Sequence, residues 1–261
     1  MSQSQPLPSA PPGAARAAAD TRPVRFRVFR WKKGDETPHF DEFTVGAGPA
    51  TTVLDGLVAI RTTQDPSLTL RHSCFHASCG TCGMRVNERE VLACVTNVRE
   101  LGTETVTVEP IANQNLVSDL ATDMVDLYGR LDVVDRPLIR QSEIHPDSEV
   151  ADGVAEHGRF EDCIECGLCL SACPIVASDP RYLGPAALAA AWRVVDEPRG
   201  RDGVAVLALT DDAQGSWRCH LAFECSEACP SNVDPAAAIM LLRRRSAGER
   251  LRTILGRRDA R

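Results

Sequence analysis

The pattern of apolar and polar positions near the start of the chain predicts a small sheet with one helix. Residues 24–31 alternate apolar and basic side chains, which is typical of a half-buried strand, and residues 40–45 predict its hairpin partner. Thr51 or Thr52 precedes an apolar run over residues 53–62, and a hydroxyl residue in that place is typical of a helix N-cap. The chain therefore begins as strand, strand, helix.

Two further segments extend the predicted sheet. Residues 84–86 and 91–93 flank a turn at Asn87 and predict a short hairpin. Residues 105–109 alternate again and predict another strand. Residues 24–109 thus contain strands around a single helix.

The second half carries a helical pattern instead. Residues 116–131 have apolar side chains at near-helical spacing. Residues 185–195 and 235–244 each begin with proline, which is favoured at the first position of a helix. Residues 136–158 contain two prolines and scattered charges, and they predict a connecting segment.

Composition narrows the class of protein. With 43% apolar and 25% charged residues among 261, the chain is an ordinary globular protein, and its longest apolar runs, residues 185–192 and 236–242, are too short to span a membrane. A formal net charge of −7 argues against nucleic acid as a partner. Residues 1–21 predict a disordered tail without an export signal, so we expect a reducing compartment.

The eleven cysteines fall into three groups, and clustered cysteines in a reducing compartment indicate metal binding. The first group has the spacing C-x4-C-x2-C-x11-C, the second C-x2-C-x2-C-x3-C-P and the third C-x5-C-x3-C-P. The groups are Cys74, Cys79, Cys82 and Cys94; Cys163, Cys166, Cys169 and Cys173; and Cys219, Cys225 and Cys229.

The first group has the spacing of a plant-type [2Fe–2S] site. Gly80 and Gly83 lie within its loop, and glycine tolerates the backbone angles that wrapping a cluster requires. Two other interpretations remain open. One is a zinc site with four cysteine ligands, and the other is a mixed set in which His72 and His76 replace two cysteines.

The second group has the bacterial ferredoxin spacing, in which the fourth cysteine binds the neighbouring cluster. The third group repeats this spacing, except that Ala222 stands where the middle cysteine belongs. If the last cysteine of each run binds the cluster of the other run, one cluster has four thiolate ligands and the other has three. These numbers fit a [4Fe–4S] and a [3Fe–4S] cluster. The four are Cys163, Cys166, Cys169 and Cys229, and the three are Cys173, Cys219 and Cys225. A carboxylate from Glu224 or Glu227 is the alternative fourth ligand.

These ligand sets leave no place for substrate chemistry on the chain itself. The sequence shows no nucleophile–base pair, no glycine-rich phosphate loop and no dinucleotide-binding fingerprint. Three clusters of different kinds therefore predict one-electron conduction between two redox partners. A [3Fe–4S] cluster has fewer metal charges than a [4Fe–4S] cluster, so we expect a higher potential at the end near a quinone.

The three motifs in this order resemble the iron–sulfur subunit of succinate dehydrogenase and quinol:fumarate reductase, the complex II family, over residues 22–245. The segments CIECGLC, YLGPAAL, CSEACP and VDPAAAI are similar to the family as well. The resemblance implies a partner subunit with covalent FAD that interconverts succinate and fumarate, as in the tricarboxylic acid cycle. It also implies transmembrane anchor subunits, with or without heme, a quinone, and a peripheral position on the cytoplasmic face of the membrane.

The resemblance also suggests which residues lie near the quinone. His220 is similar to a histidine near the quinone in succinate dehydrogenases, and Trp217 lies two residues before Cys219. A structural role for His220 and core packing for Trp217 are the alternatives. Ubiquinone-linked members usually have a tryptophan after the cysteine equivalent to Cys173; this chain has none there, which makes menaquinone plausible. The arginine-rich residues 243–261 could contact anionic headgroups, the anchor or only solvent.

The expected fold class is α+β, with two domains after the tail. Residues 22–118 predict a plant-type [2Fe–2S] ferredoxin β-grasp domain, and residues 119–261 a mainly α-helical, two-cluster ferredoxin-like domain. The same electron conduit could serve another flavoprotein, such as a soluble thiol-linked fumarate reductase, and a structural zinc protein is the third possibility. The direction of the reaction and the cluster potentials stay open.

Overall fold

The first part of the chain forms a five-stranded mixed sheet in the order β2-β1-β5-β3-β4. β1 pairs antiparallel with β2 and parallel with β5, and β3 pairs antiparallel with β5 and β4. This computed structural model describes residues 20–134, 159–197, 200 and 203–258, with side chains through residue 255. The strands are β1 (Arg22–Arg30), β2 (His39–Ala47), β3 (Gly83–Val86), β4 (Arg89–Leu92) and β5 (Thr105–Glu109).

One helix, α1 (Val53–Thr63), packs against this sheet. Its N-cap is Thr52, whose hydroxyl accepts from the Asp55 N–H while the Asp55 carboxylate accepts from the Thr52 N–H. This reciprocal pair satisfies two N–H groups that a helix end leaves open. The apolar side of α1 is fully buried, and a Cβ at Gly56 would overlap the Phe26 ring of β1. The predicted strands and helix, and the α+β class, are confirmed.

The β3–β4 hairpin closes through a two-residue turn. Val86 pairs with Arg89, and the intervening Asn87 and Glu88 have φ values of 48° and 66°. Two successive positive φ angles define a type I′ turn, whose twist matches that of the flanking strands. The turn brings Cys94, just beyond β4, back toward the other three cysteines of the first group.

The helix predicted over residues 116–131 is wrong in its first half. The structure instead has a hairpin of β6 (Asn115–Ser118) and β7 (Ala121–Asp123), followed by α2 (Val125–Val134). The physical reason is Asp119, whose buried carboxylate at the hairpin turn accepts hydrogen bonds from the Trp31 and Thr69 N–H groups. These long-range bonds fix the turn, and local spacing does not reveal them.

The same carboxylate belongs to a buried charge cluster around Arg30. The Arg30 side chain is 7% exposed and contacts Asp119, Asp41 and Asp65. Hydrogen bonds from Ser67 and Arg30 hold the pKa of Asp65 down to about 2. One guanidinium therefore ties the end of β1 to three separate segments of the chain.

The rest of the described chain is mainly helical, and its helices pack chiefly against α5 (Gly184–Asp196). The predicted helices at residues 185–195 and 235–244 are confirmed as α5 and α8 (Pro235–Arg258), and α8 continues well past the predicted end. Among the described residues, no helix is long and apolar enough to cross a membrane. Of the tail predicted over residues 1–21, residues 1–19 lie outside the described residues, as does the whole connector predicted over residues 136–158. The helices are α3 (Leu168–Ser171), α4 (Pro174–Ser178), α5 (Gly184–Asp196), α6 (Gly203–Thr210), α7 (Glu224–Glu227) and α8 (Pro235–Arg258).

A set of hydrogen bonds joins the sheet to the helical part at α3. The Ser171 hydroxyl accepts from the Ala112 N–H at 2.8 Å and donates to the Glu90 carboxylate at 3.0 Å. The side-chain amide of Asn113 lies 2.9 Å from the Leu170 carbonyl and 3.2 Å from the Cys173 carbonyl. The second cysteine group is thus fixed directly onto the sheet.

Candidate metal centres

The first cysteine group lies on a loop whose backbone N–H groups point at sulfur. The N–H groups of His76 and Ser78 lie 3.5 and 3.4 Å from Cys74 Sγ, and the Ala77 N–H lies 3.4 Å from Cys94 Sγ. The contacts to Cys74 lower the pKa of its thiol to about 7, and the hydrogen bond from the His76 N–H contributes most. A thiol held in this way forms a thiolate readily, and the thiolate is the species that binds iron.

Four cysteines from two different groups line one cavity, which we call the tetrad cavity. They are Cys163, Cys166 and Cys169 from the second group and Cys229 from the third. Burial raises the pKa of Cys166 to about 11 and holds that of Cys169 well above its ordinary value. A buried thiolate needs a compensating cation, so this sulfur set fits a positively charged metal cluster. The Val233 N–H lies 3.4 Å from Cys229 Sγ.

The remaining three cysteines line a second cavity, which we call the triad cavity. Cys173 comes from the second group, and Cys219 and Cys225 come from the third. Burial raises the pKa of Cys225 to about 12, and the Leu221 N–H lies 3.3 Å from Cys219 Sγ. Ala222 lines the same cavity and offers only a methyl group.

The backbone repeats between the two cavities, which supports the alignment of Ala222 with Cys166. Gly167 precedes α3 with φ of 79°, and Phe223 precedes α7 with φ of 66°. Two positions earlier in each run, Glu165 and Leu221 also have positive φ values, 52° and 58°. Matching left-handed residues at matching positions show that the two runs share one loop conformation. Ala222 therefore occupies the position of the middle cysteine.

Of the two carboxylates considered as a fourth ligand for the third cluster, only one lies at the triad cavity. Glu224 is among the residues that line this cavity, whereas Glu227 is not. Both side chains are exposed. Within the described chain, no three His, Cys, Asp or Glu side chains are grouped so as to hold a single metal ion. A cluster spreads its irons over several sulfurs, so its ligands need not converge on one point.

The three cysteine sets are adjacent in space, in the order of the chain. A Cβ built on Gly80, in the first loop, would lie 2.8 Å from the Cys166 Cβ and 2.8 Å from the Ile164 carbonyl oxygen. Cys169 of the tetrad cavity lies close enough to Cys225 of the triad cavity that the Cys225 charge raises its pKa. The arrangement gives a continuous path from the first group to the third.

Replacing Gly80 by alanine is expected to increase the distance between the first cysteine group and the cysteines of the tetrad cavity. The φ of 69° is strained for alanine, and the added methyl would collide with the backbone around Cys166. Overpacking of this kind costs about 1–3 kcal/mol, and we expect slower electron transfer from the first group to the second. Gly102→Ala is the matched control, because Gly102 has φ of 65° and nothing within 4 Å. Freeze-quench EPR of both variants measures the transfer; equal rates would contradict the contact.

The candidate quinone residues lie beside the triad cavity. His220 is exposed and lines it. Trp217 is 41% exposed, so it does not pack in the core, and its indole N–H donates to Asp211 at 2.5 Å. Near the first group, His72 contacts Arg61 and His76 contacts the Cys74 carbonyl, so both rings already have protein partners.

Two residues near the triad cavity were missed by sequence reasoning. Tyr182 is 1% exposed, and burial together with the nearby Cys219 and Cys173 raises the pKa of its hydroxyl. Arg243 of α8 donates to the Ser216 carbonyl at 2.8 Å and the Cys219 carbonyl at 2.5 Å. In the sequence, Tyr182 is indicated only by its place in the YLGPAAL segment. Arg243 is indicated only as part of the arginine-rich residues 243–261, and nothing there predicts its bond to the Cys219 carbonyl.

The fold and cysteine sets define an iron–sulfur electron-transfer protein with a plant-type domain followed by a dicluster domain. Two domain families match the chain accordingly. The family described as "2Fe-2S iron-sulfur cluster binding domain" matches residues 25–129, and "4Fe-4S dicluster domain" matches residues 159–233. The [2Fe–2S] and [4Fe–4S] cluster domains expected from the sequence are confirmed.

Whole-chain comparisons identify the family. The fumarate reductase iron–sulfur subunit of Escherichia coli is 34% identical over 85% of this chain and 92% of its own length. The mitochondrial succinate dehydrogenase [ubiquinone] iron–sulfur subunit of Candida glabrata is 29% identical over 90% of this chain and 96% of its own. The chain belongs to the iron–sulfur subunits of fumarate reductases and succinate dehydrogenases, and it is an electron-transfer subunit of that class of oxidoreductase.

A solved structure supports the same fold. A chain of the Mycobacterium smegmatis Sdh1 complex in the apo form superposes with a TM-score of 0.79 at 24% identity. The match covers 88% of this chain and 97% of that chain. Both halves of the fold are therefore shared.

Proposed function

We propose that this chain passes electrons between an FAD subunit, where succinate and fumarate are interconverted, and a membrane quinone. The proposed path runs through a [2Fe–2S], a [4Fe–4S] and a [3Fe–4S] cluster. The proposed ligands are Cys74, Cys79, Cys82 and Cys94 for the first, Cys163, Cys166, Cys169 and Cys229 for the second, and Cys173, Cys219 and Cys225 for the third.

The observation that carries the proposal is the crossed arrangement of the cysteines. Cys229 lies with the second group, and Cys173 lies with the third. Each cavity therefore needs both runs, as the dicluster spacing requires. If each run bound a zinc ion by itself, Cys173 and Cys229 would each be expected to lie with the other cysteines of its own run.

The protein's own residues position the ligand sulfurs and shield them in part from water, since Cys163 alone among these eleven cysteines is exposed. When bound, the clusters accept and release single electrons. Backbone N–H groups of Ser78, Leu221 and Val233 donate toward the ligand sulfurs, which stabilises negative charge there. The Arg243 guanidinium bonds the Cys219 carbonyl, so it fixes the triad loop and places a positive charge beside it. At the third cluster, the Leu221 N–H and the Arg243 charge both favour the added electron.

Each proposed domain contacts a different partner, one at each end of the electron-transfer path. Residues 22–118 hold the first cluster and face the FAD subunit; residues 119–261 hold the other two and face the anchor subunits on the cytoplasmic side. The quinone lies near His220 and Trp217, and menaquinone is the quinone we favour. Heme in the anchor is compatible with this arrangement.

Purification of the native complex tests this function. We expect a flavoprotein and a hydrophobic anchor to copurify, with succinate:quinone or quinol:fumarate activity in membranes. EPR-monitored redox titration should resolve three centres. A soluble flavoprotein partner without an anchor, or activity that depends on thiols and not on quinone, would contradict the proposal in favour of a soluble thiol-linked fumarate reductase.

A further inference from the structure

The outward face of α8 is apolar, although α8 already buries its opposite face. Leu242 and Ser246, one helical turn apart, are 0% and 2% exposed on the inner face. Leu251 and Leu255, also one turn apart, are 57% and 48% exposed and lie about 180° away around the helix. Met240 is 39% exposed on the same outer stripe. A water-exposed stripe of this kind indicates a surface that something else covers.

The charges around this stripe are strongly basic. Residues 243–255 contain five arginines and one acidic residue, whereas the whole chain has a net charge of −7. Arg250 pairs with Asp211, but Arg244 and Arg245 are exposed and make no ion pair within the described part of the chain. Free arginines that flank exposed leucines are typical of a helix lying on an anionic lipid surface.

An aromatic residue lies beside the stripe. The Trp217 ring lies 5.5 Å from the Arg243 guanidinium and 5.6 Å from that of Arg250. Tryptophan prefers the level of the lipid headgroups, where its ring is buried and its N–H stays in a polar environment. Arg243, which the Trp217 ring contacts, also bonds the Cys219 carbonyl, so this surface adjoins the triad loop.

The exposed apolar residues near the first cysteine group lie in a different electrostatic setting. Val125 and Tyr128 of α2 are 68% and 45% exposed, but the same helix carries Asp126 and Asp132. Acidic groups are repelled by an anionic bilayer. The basic surface at α8 is therefore the one that fits lipid.

We propose that the outer face of α8, with Trp217, lies directly against an anionic lipid bilayer. Leu251 and Leu255 enter the boundary of the acyl chains, while Arg244 and Arg245 bind phosphate oxygens of the headgroups. This lipid contact belongs to the chain itself. It goes beyond the proposed electron transfer, because it requires neither the FAD subunit nor the anchor subunits.

Vesicle binding by the cluster-loaded full chain tests the proposal. The probes are vesicles of phosphatidylcholine containing about one-third phosphatidylglycerol, and vesicles of phosphatidylcholine alone, compared by co-sedimentation at low and high salt. We expect at least about tenfold stronger partitioning to the anionic vesicles, reduced by salt. Because no quinone or flavoprotein is present, the result is independent of the proposed function.

Three double variants identify the surface. L251Q/L255Q and R244Q/R245Q should each weaken binding by about fivefold or more, and R244K/R245K should retain it because the charge is kept. V117Q/V125Q, which alters exposed valines away from α8, is the matched control and should bind like the unaltered chain. Iron content and helical circular dichroism verify that each variant is folded. Equal binding to both vesicle types, no binding to either, or an equal loss in V117Q/V125Q would overturn the proposal; no binding to either would assign the face to a protein partner.

Discussion

Replacing Ala222 by cysteine is expected to convert the third cluster from three irons to four. Ala222 lines the triad cavity with Cys173, Cys219 and Cys225 and occupies the position that Cys166 holds in the other run. A thiolate there supplies the missing ligand, and thiolate is the ligand that iron in such clusters takes. We expect the oxidised EPR signal of the [3Fe–4S] cluster to fall at least about fivefold and the iron content to rise by about one per chain.

The matched control is Ala222→Ser, which adds a side chain of similar size without a thiolate. A neutral hydroxyl is a poor iron ligand, so this variant should keep the [3Fe–4S] signal and the original iron content. An Ala222→Cys protein that retains an undiminished three-iron signal would show that Ala222 does not face the open corner of the cluster. The carboxylate alternative predicts instead that the unaltered protein shows no three-iron signal and that Glu224→Gln creates one.

Replacing Arg30 by methionine is expected to cause the largest loss of stability in the first domain. Arg30 lies between Asp41, Asp65 and Asp119, and Asp119 is fully buried. Removal of the guanidinium leaves a buried carboxylate uncompensated and three acidic groups close together. Breaking a buried ion pair in this way costs about 3–5 kcal/mol. The midpoint of urea unfolding, followed by the visible absorption of the first cluster, should fall by about 1–3 M.

Arg25→Met is the control for the Arg30 substitution. Arg25 lies on the same strand, but its side chain is exposed. A surface substitution of this kind changes stability by less than about 0.5 kcal/mol. If Arg30→Met and Arg25→Met unfold at the same urea concentration, the buried charge cluster does not hold the domain together.

Features defined by short spacing were predictable from the sequence. The hairpin at Asn87, the strand at residues 105–109 and the N-cap at Thr52 each depend on neighbours within a few positions, and the structure confirms all three. The dicluster spacing also predicts that Cys229 crosses to the second group; Cys229 lines the tetrad cavity, and its role as a cluster ligand stays a prediction.

Features that depend on distant contacts were not predictable. The helix predicted over residues 116–131 is wrong in its first half because Asp119 bonds groups of residues 30, 31 and 69, and the pattern of one sequence carries no information on such contacts. The same holds for Gly80 against Cys166 and for Arg243 on the Cys219 carbonyl. Cysteine spacing predicts which sulfurs share a cluster; it does not predict how closely successive clusters approach.

Buried cysteines also link stability to cluster content. Cys82, Cys94 and Cys173 are each less than 9% exposed and belong to the hydrophobic core. Burial raises the pKa of Cys82 to about 12 and also raises the pKa of Cys173, so without metal these two sulfurs stay protonated as apolar thiols. Cluster assembly must therefore release protons, and cluster loss leaves the core packed around thiols.

Metal analysis combined with EPR of anaerobically purified protein tests the central claim most directly. Eleven cysteines shared as four, four and three predict about nine irons per chain, no zinc, and one [3Fe–4S] signal in the oxidised state. Stoichiometric zinc, or far fewer irons than nine in protein whose visible spectrum shows intact clusters, would contradict the assignment of three iron–sulfur centres to this chain.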